Sequence, residues 1–103
     1  MTPLTREWVD KAEGDFHTAT REARVRKAPN HDAVCFHAQQ CAEKYLKALL
    51  QEANIPFGKT HNLVALLALV LPLDSSWELL RPHLQHLNSF AVHVRYPGGS
   101  TSR

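Results

Sequence analysis

Apolar residues along this chain recur at intervals of three and four, and no stretch alternates at two over a sustained run. Trp8, Ala12, Phe16, Ala19 and Ala23 share one face of a first helix, with Pro3 suited to its opening turn and Thr2 placed to cap it. Ala28, Pro29 and Asn30 interrupt the pattern, and Asn30 or Asp32 can cap a second helix. Its stripe is Val34, Ala38, Cys41 with Ala42, Tyr45 and Leu49, and it runs to about Ala53 before Asn54 to Gly58 end it. Thr60 reads as the cap of a third helix, apolar on nearly every side from Leu63 to Leu71 and stopped by Pro72. Ser75 or Ser76 opens a short turn through Trp77 and Leu80. Pro82 suits the start of a last helix carrying Leu84, Leu87, Phe90, Ala91 and Val94, which Pro97, Gly98 and Gly99 terminate.

The pattern predicts an all-α fold, an up-and-down bundle of about four helices. The expected core is Trp8, Phe16, Val34, Ala38, Tyr45, Leu49, Leu63, Leu67, Leu87 and Phe90. With 103 residues there is room for one domain, 1–103, and one modest core. A hydrophobic share of 44% with 21% charged residues fits a globular chain, and a net charge of +2 is too balanced to announce nucleic acid by itself. Arg21, Arg24, Arg26 and Lys27 gather at the end of the first helix, where cations complement the macrodipole, and read as a solvated helix end rather than a phosphate patch. The longest apolar stretch, Leu63 to Leu73, falls short of the ~20 residues that span a bilayer. The N-terminus has no signal-peptide core, so a cytoplasmic protein without membrane contact is expected.

Cys35 and Cys41 stand six apart, about 240° around a helix, and read as two buried thiols that cannot bridge. His31 with Cys35, His37 with Cys41, and His83 with His86 each offer two ligands on a face, but no group supplies the three or four a zinc site needs. Neither a metal nor a cofactor is expected. No glycine-rich phosphate loop is present. The most unusual stretch lies on the second helix, where Gln39, Glu43 and Lys47 stack at four-residue intervals as a polar ridge beside the apolar stripe. Periodicity alone reads it as a solvated flank, with Glu43 and Lys47 a favourable pair.

Three blocks carry a resemblance: FHAQQCAEKYLKALL on the second helix, Thr60-His61-Asn62-Leu63 ahead of the apolar helix, and Val94-Arg95-Tyr96-Pro97-Gly98. Together, over about Trp8 to Gly98, they resemble the HEPN domain of prokaryotes and higher eukaryotes. The resemblance implies a helical bundle that commonly dimerises. Some members are linked to minimal nucleotidyltransferases, and many were proposed to bind nucleotides. Others are metal-independent endoribonucleases of toxin–antitoxin and defence systems, with an arginine followed after four to six residues by a histidine. Arg95 matches the family arginine, but Ser100, Thr101 and Ser102 occupy the places where histidine belongs. Arg81 with His86 keeps the spacing near the expected region. Members also continue past the Arg-Tyr-Pro block into another helix, so the expected bundle lacks that helix, being truncated or completed by a partner.

The expected function is a module that binds a nucleotide, a nucleotidyltransferase partner or both, in a toxin–antitoxin or defence context, without catalysis of its own. Lys47, His61 and Arg95 would contact phosphate, and Tyr96 would stack on a base. The alternative is a metal-independent endoribonuclease acting on RNA as a dimer. His86 would supply its general base and Arg81 its phosphate cation. A homodimer is expected in either case, filling an apolar groove lined by Leu66, Val70, Leu84 and Phe90.

Overall fold

Side-chain caps decide where each helix begins. Thr2 accepts a hydrogen bond from the Thr5 amide at 3.1 Å, and Asn30 accepts one from the Ala33 amide at 2.9 Å. Asn62, not Thr60, caps the third helix, accepting from the Val64 and Ala65 amides at 3.0 and 3.2 Å. Thr60 stands one step back and accepts from the Asn62 amide at 3.1 Å. The computed structural model describes residues 1–27 and 30–95, the side chains of 90–95 excepted. Among these it holds α1 (Pro3–Ala23), α2 (His31–Glu52), α3 (Leu63–Val70) and α4 (Arg81–Arg95), with a 3-10 turn over Ser75–Leu80 and no strand. The all-helical bundle predicted from periodicity is the fold observed.

The end of α2 is closed by a Schellman motif. Asn54 takes the left-handed conformation at φ 61°, the Ile55 amide donates to the Leu50 carbonyl at 2.8 Å, and the Asn54 amide donates to Gln51 at 3.1 Å. Ile55 then packs on the core beside Leu50. α1 and α2 run antiparallel. The Thr2 amide donates to Glu52 at 3.3 Å at one end, and the Asn30 amide donates to Glu22 at 3.0 Å at the other.

The two long helices are rotated from the faces their apolar residues suggest. The seam of α1 runs through Thr5, Trp8, Ala12, Asp15, Ala19 and Glu22, a spacing of three and four. It keeps Trp8, Ala12 and Ala19 but excludes Phe16, which is 55% exposed, and Ala23. Asp15 takes the place beside them because it bonds His37 and Lys44 of α2. On α2 the buried set is Gln39, Cys41, Glu43, Leu46, Lys47, Ala48 and Leu50. Tyr45 is 40% exposed, and Val34, Ala38 and Leu49 are half-buried. α2 is packed by α1 on one flank and by α3 and α4 on another, so its buried surface is wider than one stripe. Cys35 is likewise only half-buried, whereas Cys41 is buried as expected.

The central cluster joins Leu46 and Leu50 of α2, Leu63, Leu66, Leu67 and Val70 of α3, and Leu84 of α4, with Trp77, Leu80 and Leu87 packed around it. Leu66 and Val70 are therefore core, not the lining of an open groove. The apolar groove lies elsewhere. It holds about 450 Å³ between the start of α1 (Met1, Val9), the exposed stripe of α2 (Tyr45, Leu49) and Trp77 with Leu84. Phe90, expected in the core and in that groove, has its side chain outside the described residues.

Candidate functional site

The polar ridge of α2 is the centre of a buried network. Glu43 is 3% exposed, and its carboxylate receives the Lys47 ammonium at 3.0 Å. The loop before α3 brings His61 onto the same carboxylate, its Nδ1 at 3.1 and 3.0 Å from the two oxygens. Gln39, one turn earlier, donates its amide to Glu43 at 3.3 Å and to the His61 carbonyl at 3.2 Å. Gln40 donates to the Gln39 side-chain oxygen at 2.7 Å, which orients that amide. The solvated flank expected from periodicity is thus overturned. A four-residue polar repeat places its members on one helical face, but which neighbour covers that face is a tertiary matter.

Lys47 is almost fully enclosed. Its ammonium lies 5.5 Å from the Trp8 ring centre and 5.8 Å from that of Phe57, and these two rings meet edge to face at 6.0 Å. Its charge is met by Glu43 and by two π-faces, so Lys47 holds the carboxylate in place instead of reaching out of the domain. His61 is the member that faces outward, with 58% of its side chain exposed. Donation from Nδ1–H to Glu43 leaves Nε2 directed away from the carboxylate, an acceptor when neutral and a cationic donor when protonated. Burial alone would push the Glu43 carboxyl up. The hydrogen bonds from His61 and Lys47, with the charges behind them, outweigh burial and hold it below its ordinary value of 4.5.

The fold assembles Gln39, Glu43, Lys47 and His61, and sequence reasoning missed the aromatic wall of Trp8 and Phe57 around Lys47. Arg95 is the last residue of α4 and its side chain lies outside the described residues, as does Tyr96 altogether. Arg81 opens α4 and forks onto Glu78, its Nε bonding one oxygen and its Nη2 the other at 2.9 Å. His86 lies five residues on, about 140° around the helix. These two do not share a face.

A second polar cluster joins α1 to α2. Asp15 accepts from His37 Nδ1 at 2.8 Å and from the Lys44 ammonium. Next to it burial, reinforced by the Asp15 charge and opposed by Lys44, pushes the Cys41 thiol up, so it is held as the unreactive thiol. Sequence spacing could not find this cluster, because Asp15 and its partners sit on different helices. No group of three or more His, Cys, Asp or Glu side chains among the described residues could hold a metal ion, and none of the helices there is long and apolar enough to cross a membrane.

Searches of curated proteins and of solved structures find no match. The HEPN domain family model does match, over residues 5–103. That span takes in α1 from Thr5 onward, all of α2, the Thr60-His61-Asn62-Leu63 block and the Arg95-Tyr96 block, and by it the chain belongs to the HEPN domain family.

Proposed function

We propose that this HEPN domain binds a nucleotide through the surface around His61 and does so without catalysis of its own. The observation that supports it is the buried Glu43 carboxylate, which holds an exposed imidazole in one orientation. Burying a carboxylate and an ammonium is costly, and replacing such a pair with apolar side chains is often neutral or better. A charged pair kept under an outward-facing histidine is the arrangement of a preorganised site. In this reading His61 Nε2 and Arg95 contact phosphate, Tyr96 stacks on the base, and Gln39, Glu43 and Lys47 position His61 from within. Membership in the family agrees with a nucleotide- or RNA-related role. A nucleotidyltransferase partner and a toxin–antitoxin or defence setting belong to the same proposal. The endoribonuclease alternative needs a free phosphate cation, and the Arg81 fork is filled by Glu78.

Isothermal titration of the whole chain with mono- and triphosphate nucleotides tests this. Binding should weaken about tenfold or more on His61→Ala and on Arg95→Ala, and should fall with rising salt. Affinity unchanged in both variants would remove the His61 surface from the function. Multiple-turnover RNA cleavage in the presence of a chelator, abolished by Arg81→Ala or His86→Ala, would move the assignment to the endoribonuclease.

The proposal includes a homodimer. Its contact would be the groove between Met1, Val9, Tyr45, Leu49 and Trp77, which leaves the apolar stripe of α2 uncovered. Tyr45→Glu should then shift the sedimentation boundary toward 11.6 kDa at micromolar concentration. A single species near that mass in the unmodified protein at every concentration would defeat it.

A further inference from the structure

The outer face of α1 carries features that the His61 site does not use. Phe16 is 55% exposed, although apolar periodicity assigns it to the core. Its ring meets the His17 ring edge to face at 6.0 Å. Arg21 and Arg24 follow His17 by about one and two turns, and all three are exposed. They lie within about 60° of one another around the helix and opposite the seam of Thr5, Ala12 and Ala19. None of the three forms an ion pair among the described residues. Glu22, the acid nearest the two arginines in sequence, belongs to the seam and accepts from the Asn30 amide. His17, Thr20, Arg21 and Arg24 line an open depression of about 450 Å³, and exposed Arg26 and Lys27 extend the positive charge beyond it.

Complementing the macrodipole explains cations in the last turn, and so accounts for Arg21 and Arg24. It does not account for a histidine one to two turns earlier on the same side, or for the exposed aromatic ring on the flank between that side and the seam, about 80° around the helix from Arg24. A row of cations with an adjoining aromatic ring is the composition that single-stranded nucleic acid requires: charge to follow the phosphates and a π-face to stack a base. An anionic lipid surface would draw the same cations but needs a broad apolar face beside them, and Phe16 and Val25 are the exposed large apolar side chains near these cations among the described residues, too few for such a face. We infer that Phe16, His17, Arg21 and Arg24 on α1 form a docking surface for a segment of single-stranded RNA. The choice of RNA as the polyanion rests on the nucleotide- and RNA-related reading given above. The surface itself is separate from the His61 site. His17, Arg21 and Arg24 rise by roughly 6 and 4.5 Å in succession along the helix, so each can take its own phosphate.

Fluorescence polarisation of a labelled twelve-nucleotide oligouridine with the whole chain, repeated across a salt series, tests the inference. The double variant Arg21→Glu, Arg24→Glu should bind about tenfold more weakly or worse. The slope of log affinity against log salt should become shallower by about 1.4, as expected for two lost phosphate contacts on a single strand. Phe16→Ala should bind about fivefold more weakly or worse with the salt slope unchanged, because stacking releases no counterions. All three positions are exposed, so both variants should stay folded, with Phe16→Ala leaving the thermal transition in place and the double variant losing some stability because acids replace cations at the end of α1, which circular dichroism checks. Oligouridine affinity that is absent in the unmodified protein, or equal in the double variant, overturns the inference. So does a Phe16→Ala effect that sedimentation traces to a change in oligomeric state. Binding to phosphatidylserine vesicles without binding to oligouridine would reassign the face to membranes. Mononucleotide titration reads the His61 surface independently. Its failure with the Arg21 and Arg24 effects intact would remove that reading and leave this one.

Discussion

Lys47→Met takes a charge out of the buried network while leaving an unbranched side chain of similar size against Trp8 and Phe57, where a thioether packs well. The ammonium it removes lies 3.0 Å from a Glu43 oxygen, with the two side chains 5% and 4% exposed. Breaking a buried ion pair from one side costs about 3–5 kcal/mol, because the remaining charge stays desolvated. Here His61 and Gln39 still donate to the carboxylate, which lowers the loss, and the lost cation–π contacts raise it again by ~0.5–2 kcal/mol. The expected cost is about 2–3 kcal/mol, or roughly 10 °C or more in Tm for a domain of this size. Glu43→Leu should cost a similar amount by stranding the ammonium. The double variant should cost less than the sum by about 2 kcal/mol, since no unpaired charge is left behind. Urea unfolding at pH 7 and fixed protein concentration, with an unchanged m-value, supplies all three numbers. A Lys47→Met effect within about 0.5 kcal/mol, or strict additivity in the double variant, would refute the claim that the pair is buried and coupled.

Leu67→Ala should cost about 2–5 kcal/mol on the same assay, because the side chain is fully enclosed between α2, α3 and α4, and a loss under half a kcal/mol would show α3 to be peripheral. Glu43 sets an acid limit on stability. Its carboxyl is held below its value in the unfolded chain, so its contribution is fully present above pH 4.5 and is lost as pH falls through the lower folded value. Glu43→Gln should flatten the stability profile below about pH 5 relative to the unmodified protein. An unaltered acid limb would place the titrating group elsewhere.

The helical periods, the cap at Thr2, a second cap at Asn30 or Asp32, and the breaks beginning at Asn54 and Pro72 were legible in sequence, because each is a local backbone preference that acts within a few residues. The family was legible for a related reason, since its blocks lie along the chain in order. The rotation of each helix was not. Phe16 and Ala23 match the apolar period of α1 as well as Trp8 and Ala12 do. Asp15 displaces them from the seam because His37 and Lys44 come from another helix to neutralise it. Gln39, Glu43 and Lys47 look like a solvated flank until the loop carries His61 over them and Trp8 with Phe57 close around the ammonium. A side chain's polarity states what it costs to bury, and only the neighbours brought by the tertiary fold determine whether that cost is met. The candidate site is made of such pairings between helices, so its residue types could be read from the chain while its geometry could not.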